Sequence, residues 1–325
     1  MKLRIVILLT FFSGAAAFSQ QLPVYSQYLY NKLLINPSVA GSDGYTSFSL
    51  TAREQWAGYA GAPRTFSASG QGRILKRRFI IKQSGNRQTF RPSGEGRVGI
   101  GGYIFSDRNG HINRNGAQFS YAHHTWIKDN TQLSLGLAAN AYHYKIDADK
   151  LNFEDPNDPI LNSSLRRGLF VPDASFGFSI LNPNFSFGAS VDQLFQASGK
   201  IGGSNAYNDF RLDRHYVIYG SVDIAQGVYN IIRPSFLFMA SEQMMAQADI
   251  GITYMYHNIF WAGLSYRTTK AIITTFGLNY NNLFIGYAFD FTLQEIQRVT
   301  YGTHELSVAI KFGDSARKFK WLDRY

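Results

Sequence analysis

The chain has 325 residues, a formal charge of +10 and no Cys, which excludes disulfides, Cys-held metals and a Cys-linked lipid anchor. It carries 30 Gly, 26 Phe and 20 Tyr, a composition that suits membrane barrels with strand glycines and aromatic girdles. A large soluble β-sandwich leaves its many long alternating runs unexplained.

Lys2 and Arg4, the apolar run 5–12 and the small residues Gly14 to Ala17 predict a secretory signal peptide over 1–19, cleaved after Ala17 or Ser19. No later segment approaches the ~20 apolar residues of a spanning helix. A secreted, strand-rich chain without such a helix points to the outer membrane. In the N-terminal segment 20–44, the spacing of Tyr25, Tyr28, Leu29, Leu33, Leu34 and Ile35 predicts a short amphipathic helix ending before Pro37. It is expected either inside a barrel as a partial plug or capping the periplasmic rim.

The stretch 45–75 sets the pattern for the rest. Phe48, Leu50, Ala52 and Trp56 alternate with Ser47, Ser49, Thr51, Arg53 and Gln55, with Glu54 as the exception. After a Gly/Pro turn over 57–63, Phe66, Ala68, Gly70, Gly72 and Ile74 alternate with Thr65, Ser67, Ser69, Gln71 and Arg73. Period-2 alternation gives each strand one apolar and one polar face. Further alternating runs cover 96–107, 112–127, 131–147, 172–181, 184–195, 211–223, 228–242, 246–256, 259–267, 271–280, 283–291 and 304–312. With the opening hairpin they predict an all-β fold, a 14-stranded antiparallel transmembrane β-barrel over 45–312 with a short N-terminal helical segment. Loop lengths agree: turns at 128–130, 182–183, 224–227, 257–258 and 281–282 are short and are assigned to the periplasm. The longer connections 148–171, 196–210 and 292–303 are assigned to the outside.

One connection breaks that rule. The long stretch 76–95, on the predicted periplasmic side, holds Lys76, Arg77, Arg78, Lys82, Arg87 and Arg91 with no acid before Glu95. Without Lys2 and Arg4 the charge is +8. Six units lie in 76–91 and two in the tail 313–325, which has four bases against two acids. A charge run is ordinarily a solvated face. Concentrating the whole net charge on one predicted end favours an acidic periplasmic partner, with these six residues as the candidate partner-binding set.

The words YSQYLYNKLLINPSVAG (25–41) and REQWAGYAGAPRTFSASGQG (53–72) resemble the N-terminal signature of the PorP/SprF family. WAGLSYR (261–267), LFIGYAFDF (283–291) and GTHELSVAIKF (302–312) resemble its closing motifs, so the similarity spans nearly the whole mature chain. The basic stretch 76–91 and the basic tail depart from it. The resemblance implies an outer-membrane accessory protein of the type IX secretion and gliding machinery of Bacteroidetes. That role helps secrete or anchor surface adhesins, with other periplasmic and outer-membrane components and a cargo domain as partners. No nucleic-acid partner is implied.

The residues themselves assemble no enzyme, cofactor or metal site. His123 and His124 leave a strand on opposite faces, and no zinc spacing, phosphate loop or Gly-x-Ser-x-Gly elbow occurs. Glu154, Asp155 and Asp158 cluster in NFEDPNDPI (152–160), which would suit calcium but is also ordinary turn chemistry. Arg53, Gln55, Arg73, Asp249 and Asp290 are expected to face inward, and both signs together predict salt-bridged filling. Fourteen tilted strands give a backbone diameter of roughly 27 Å, too narrow once lined for a folded domain with a radius of gyration near ~13 Å. Docking of cargo and machinery is therefore the leading reading, and a small-solute channel the alternative.

Overall fold

Strands that each carry one apolar face satisfy their backbone groups in lipid only by pairing on both edges, which for a sheet means closure. A computed structural model of the chain, which describes residues 24–74, 78–84, 87–93, 97–127, 131–147, 168–200, 209–243 and 246–312, shows that closure. The strands are β1 (Thr46–Glu54), β2 (Arg64–Ile74), β3 (Val98–Asn109), β4 (Ile112–Ile127), β5 (Thr131–Ile146), β6 (Leu169–Asn182) and β7 (Phe185–Asp192). They continue with β8 (His215–Val222, resuming as Ile224–Gln226), β9 (Asn230–Ser241), β10 (Ala246–Tyr256) and β11 (Phe260–Arg267). β12 (Ala271–Tyr280), β13 (Leu283–Thr292) and β14 (Thr303–Phe312) complete the set. Each pairs antiparallel with its neighbours in sequence, and β14 returns to β1, closing a 14-stranded barrel. β8 is interrupted only at Asp223, which lies level with Arg233 of β9 and binds it at 2.6 Å.

Register carries the sequence alternation onto two faces. Leu50, Phe66 and Ile104 are more than half exposed on the outer wall, whereas Arg53, Ser120 and Glu305 are buried within. On β14, Leu306, Ile310 and Phe312 face out and Glu305 and Ser307 face in, as the alternation predicts.

Three local expectations change. The predicted helix before Pro37 is instead two 3-10 turns, Lys32–Leu34 and Pro37–Val39. Pro37 cannot continue a helix for want of an N–H; it opens the second turn, where the Asn36 side chain accepts from the Ser38 N–H at 2.9 Å. Trp56 is not on the apolar face of β1. The strand stops at Glu54, and Trp56 takes φ +55° where segment 55–63 meets 293–302, with the Ala57 N–H donating to Gly302 O and the Tyr301 N–H to Ala57 O. Finally, the basic stretch expected to contribute no strand forms a separate hairpin, Arg78–Ser84 with Arg87–Ser93. A smaller one pairs Ser198–Lys200 with Asp209–Arg211. The tail 313–325, the leader and the acidic loop 152–160 lie outside the described residues.

Candidate functional site

The inner wall is rich in Ser, Thr and Gly, and short inward side chains leave room along the barrel axis. Segment 24–44 occupies that room. It starts beside the ends of β13 and β14 nearest segment 293–302 and runs to the opposite end, where β1 begins.

Its upper anchor is ionic. The Ser26 and Gln27 N–H groups donate to the two oxygens of Glu305 at 2.8 and 2.9 Å, and the Ser26 hydroxyl donates to Asp290 at 2.7 Å. Arg53 bridges Asp290 and Glu305 at 2.8 and 2.9 Å, and Arg267 bridges Asp249 and Asp290 at 2.8 and 3.2 Å. All five side chains are buried. Buried ions are tolerated only when paired and hydrogen-bonded on their remaining sites, and here two arginines face three carboxylates. The backbone of the segment supplies donors that the excess carboxylate needs, so wall and segment form one network.

Further along, the Asn36 amide donates to Phe178 O at 3.0 Å, Ser38 donates to Ser179 at 2.9 Å, and Ser190 donates to Ile35 O. At the far end His124 binds Ala40 O at 2.9 Å, and Arg73 donates to Gly41 O and Ser42 O, each at 2.9 Å. Lys311 pairs with Asp43 at 3.4 Å. Tyr30 stacks on Trp261 with centroids 4.1 Å apart. Lys32 is buried and donates to Ser186 at 3.1 Å.

The wall fits this segment through glycines. A Cβ at Gly99 would collide with Ala40 O, one at Gly136 with the Ser38 backbone, and one at Gly177 with the Asn36 side chain. Strand glycines mark such close approaches. Beside the segment lie a cavity of about 40 Å³ lined by Lys32, Ser186 and Tyr219 and one of about 60 Å³ lined by Asn31, Trp261 and Lys311. Each has room for a few waters.

The inward placement of Arg53, Asp249 and Asp290 agrees with the alternation, while Gln55 lies beyond β1 and donates its N–H to Pro63 O. Among the described residues no group of three or more His, Asp or Glu could hold a metal. Of the six candidate partner-binding residues, Lys76 and Arg77 lie outside the described residues. The other four lie on the two strands of the separate hairpin, whose register pairs Arg78 with Ser93, Ile80 with Arg91, Lys82 with Thr89 and Ser84 with Arg87. Sequence reasoning missed Ser26, Gln27 and Glu305 as anchors, because their pairing spans 278 and 279 positions and leaves no local signal.

A family model described as type IX secretion system membrane protein PorP/SprF matches residues 17–310. No curated protein shows significant sequence similarity to the chain. Among solved structures, the CymD monoaromatic hydrocarbon channel aligns with a TM-score of 0.51 at 10% identity, covering 92% of this chain and 96% of that one. The toluene transporter TodX of P. putida gives 0.44 at 8% identity over 86% and 93%. The Acinetobacter baumannii outer membrane protein Omp33 gives 0.43 at 7% over 83% and 100%. At these identities the likeness to CymD is one of fold, that of an outer-membrane barrel.

Proposed function

Because the chain belongs to the PorP/SprF family of type IX secretion system membrane proteins, we propose that it is an accessory barrel of that system that docks cargo and machinery rather than conducting solutes. The observation that carries this reading is the lumen, filled by segment 24–44 and tied to the wall at both ends. A barrel so filled offers its ends, not its bore. The end bearing 55–63, 147–168, 193–214 and 293–302 faces outside and holds a cargo domain. The basic hairpin faces the periplasm and engages an acidic component of the apparatus.

In planar bilayers the purified protein is expected to be electrically silent; a steady open conductance would favour the small-solute channel instead. Orientation is tested in intact cells with an impermeant maleimide, since the chain has no native Cys. Ser163→Cys is expected to label and Ser84→Cys to stay dark, and the reverse would invert the topology. Replacing Lys76, Arg77, Arg78, Lys82, Arg87 and Arg91 with Ser should leave the barrel folded. It should also cut recovery of periplasmic partners and surface display of cargo. The attraction it removes is screened within about 8–10 Å at roughly 0.1–0.15 M salt, so recovery from the unaltered protein should fall as salt rises. Unchanged partners and display in the sextuple variant would reject the docking role of this hairpin.

A further inference from the structure

On the outer wall, residues of β1 to β6 and of β14 line an open depression. Cross-strand register arranges its outward positions in rows. The row nearest the end assigned outside runs Glu54, Arg64, Arg108, Asn113, Lys145, each opposite the next. Glu54 accepts from Arg64 at 2.7 and 3.0 Å. Arg108 and Lys145 are exposed and have no ion pair among the described residues. Arg108 moreover stands directly opposite Arg64, and like charges directly opposite destabilise a ladder.

Two residues further along each strand, about 7 Å along its axis, the outward positions hold no Lys, Arg, Asp or Glu: Phe66, Ser106, Asn115, His143 and Phe170 are successive partners. The row after that is Leu50, Ala68, Ile104, Ala117 and Ala141. The short side chains of Ala52, Ala68, Ala117 and Ala141 floor an open depression of about 940 Å³, walled by Leu50, Phe66, Ile104, Phe170 and Leu306. That volume is at the upper end of ligand-sized clefts.

Cations at the rim, polar groups beneath them and an apolar trough below reproduce, in order, the phosphate, the sugar or linkage region and the acyl chains of a membrane amphiphile. We infer that this face is a docking site for the phosphorylated glycolipid of the outer leaflet, of lipid A chemistry, with Arg108 and Lys145 on the phosphate and acyl chain in the alanine-floored trough. Charge complementarity selects the headgroup, because the rim carries two cations with no ion pair among the described residues and an arginine matched by Glu54. The choice of outer-leaflet lipid over phospholipid rests on the orientation proposed above. The docking role of the two barrel ends does not enter, so either reading can fail alone.

The test is native mass spectrometry of the full mature barrel in detergent, loaded with monophosphoryl lipid A, its phosphate-free form or phosphatidylglycerol. The native protein is expected to retain monophosphoryl lipid A in preference to both others. Arg108→Gln with Lys145→Gln should lower the retained fraction about tenfold, the scale of losing charge-assisted hydrogen bonds. Both positions are exposed at the rim, so this variant should keep its heat-modifiable mobility. Ala117→Phe with Ala141→Phe should fill the trough and lower retention independently. Equal retention in the Gln variant would overturn the site, even if the Phe variant loses lipid, because that pattern describes unselective acyl contact. Preference for phosphatidylglycerol, or a lipid-free dimer whose interface needs this face, would overturn it as well.

Discussion

Valine at Gly136 and Gly177 together is expected to displace segment 24–44 and make the barrel conduct ions. At Gly136 the obstacle to a side chain is the backbone of Ser38, and at Gly177 it is the Asn36 side chain that caps the second 3-10 turn. Neither can swing aside without breaking the bonds to Phe178 O, Ser179 and Ser190 that hold the turn. Overpacking costs about 1–3 kcal/mol per site, and each hydrogen bond lost removes about 1 kcal/mol more. The barrel itself should survive, because β-branched residues suit strands and neither change touches the ladder. Two readouts are expected together: protease cleavage within 24–44 in the folded protein, and ion conductance in planar bilayers matching that of a variant with residues 24–43 deleted. A double variant that stays silent and resists protease would show that the wall accommodates the methyls, and the glycines would lose their assigned role.

What the sequence made legible were the faces, because a face is set by period-2 alternation within one strand. Leu306, Ile310 and Phe312 against Glu305 and Ser307 could be sorted without knowing what lies beside β14. The mixed-sign interior was legible in the same way. The pairings were not: that Arg53 spans Asp290 and Glu305, and that Ser26 joins them, depends on closure between strands more than 230 positions apart. Trp56 fits the alternation of β1, yet backbone bonds between Ala57 and residues 301–302 end the strand before it. The N-terminal spacing looked helical because it counts apolar residues. In a polar lumen, the backbone instead takes partners from the wall, and Pro37 divides the turn. The hairpin at 78–93 left only a broken signal, since Ile80 interrupts the alternation of Phe79 and Ile81 with Arg78 and Lys82.

Val308→Arg is expected to be among the most damaging single changes on the outer wall. Val308 is the sixth of ten residues in β14, between Leu50 of β1 and Ile285 of β13, which sets it near the middle of the apolar band. Arginine on a lipid face there costs about 2–4 kcal/mol, against a total stability of about 5–15 kcal/mol for a folded domain. With urea slopes of about 1–3 kcal/mol per molar, the unfolding midpoint in liposomes should fall by about 1 M or more. The inward neighbour Ser307 would be the natural comparison if the lumen were open. It is not: Ser307 is buried, with its hydroxyl 3.1 Å from that of Thr51, so arginine there overpacks the interior and is also expected to destabilise. The informative control is Thr269→Arg, in the exposed turn between β11 and β12, which should leave the midpoint within experimental error. A Val308→Arg midpoint equal to that of Thr269→Arg would mean that position 308 does not meet lipid, and the register of the closing strand would have to move by one residue.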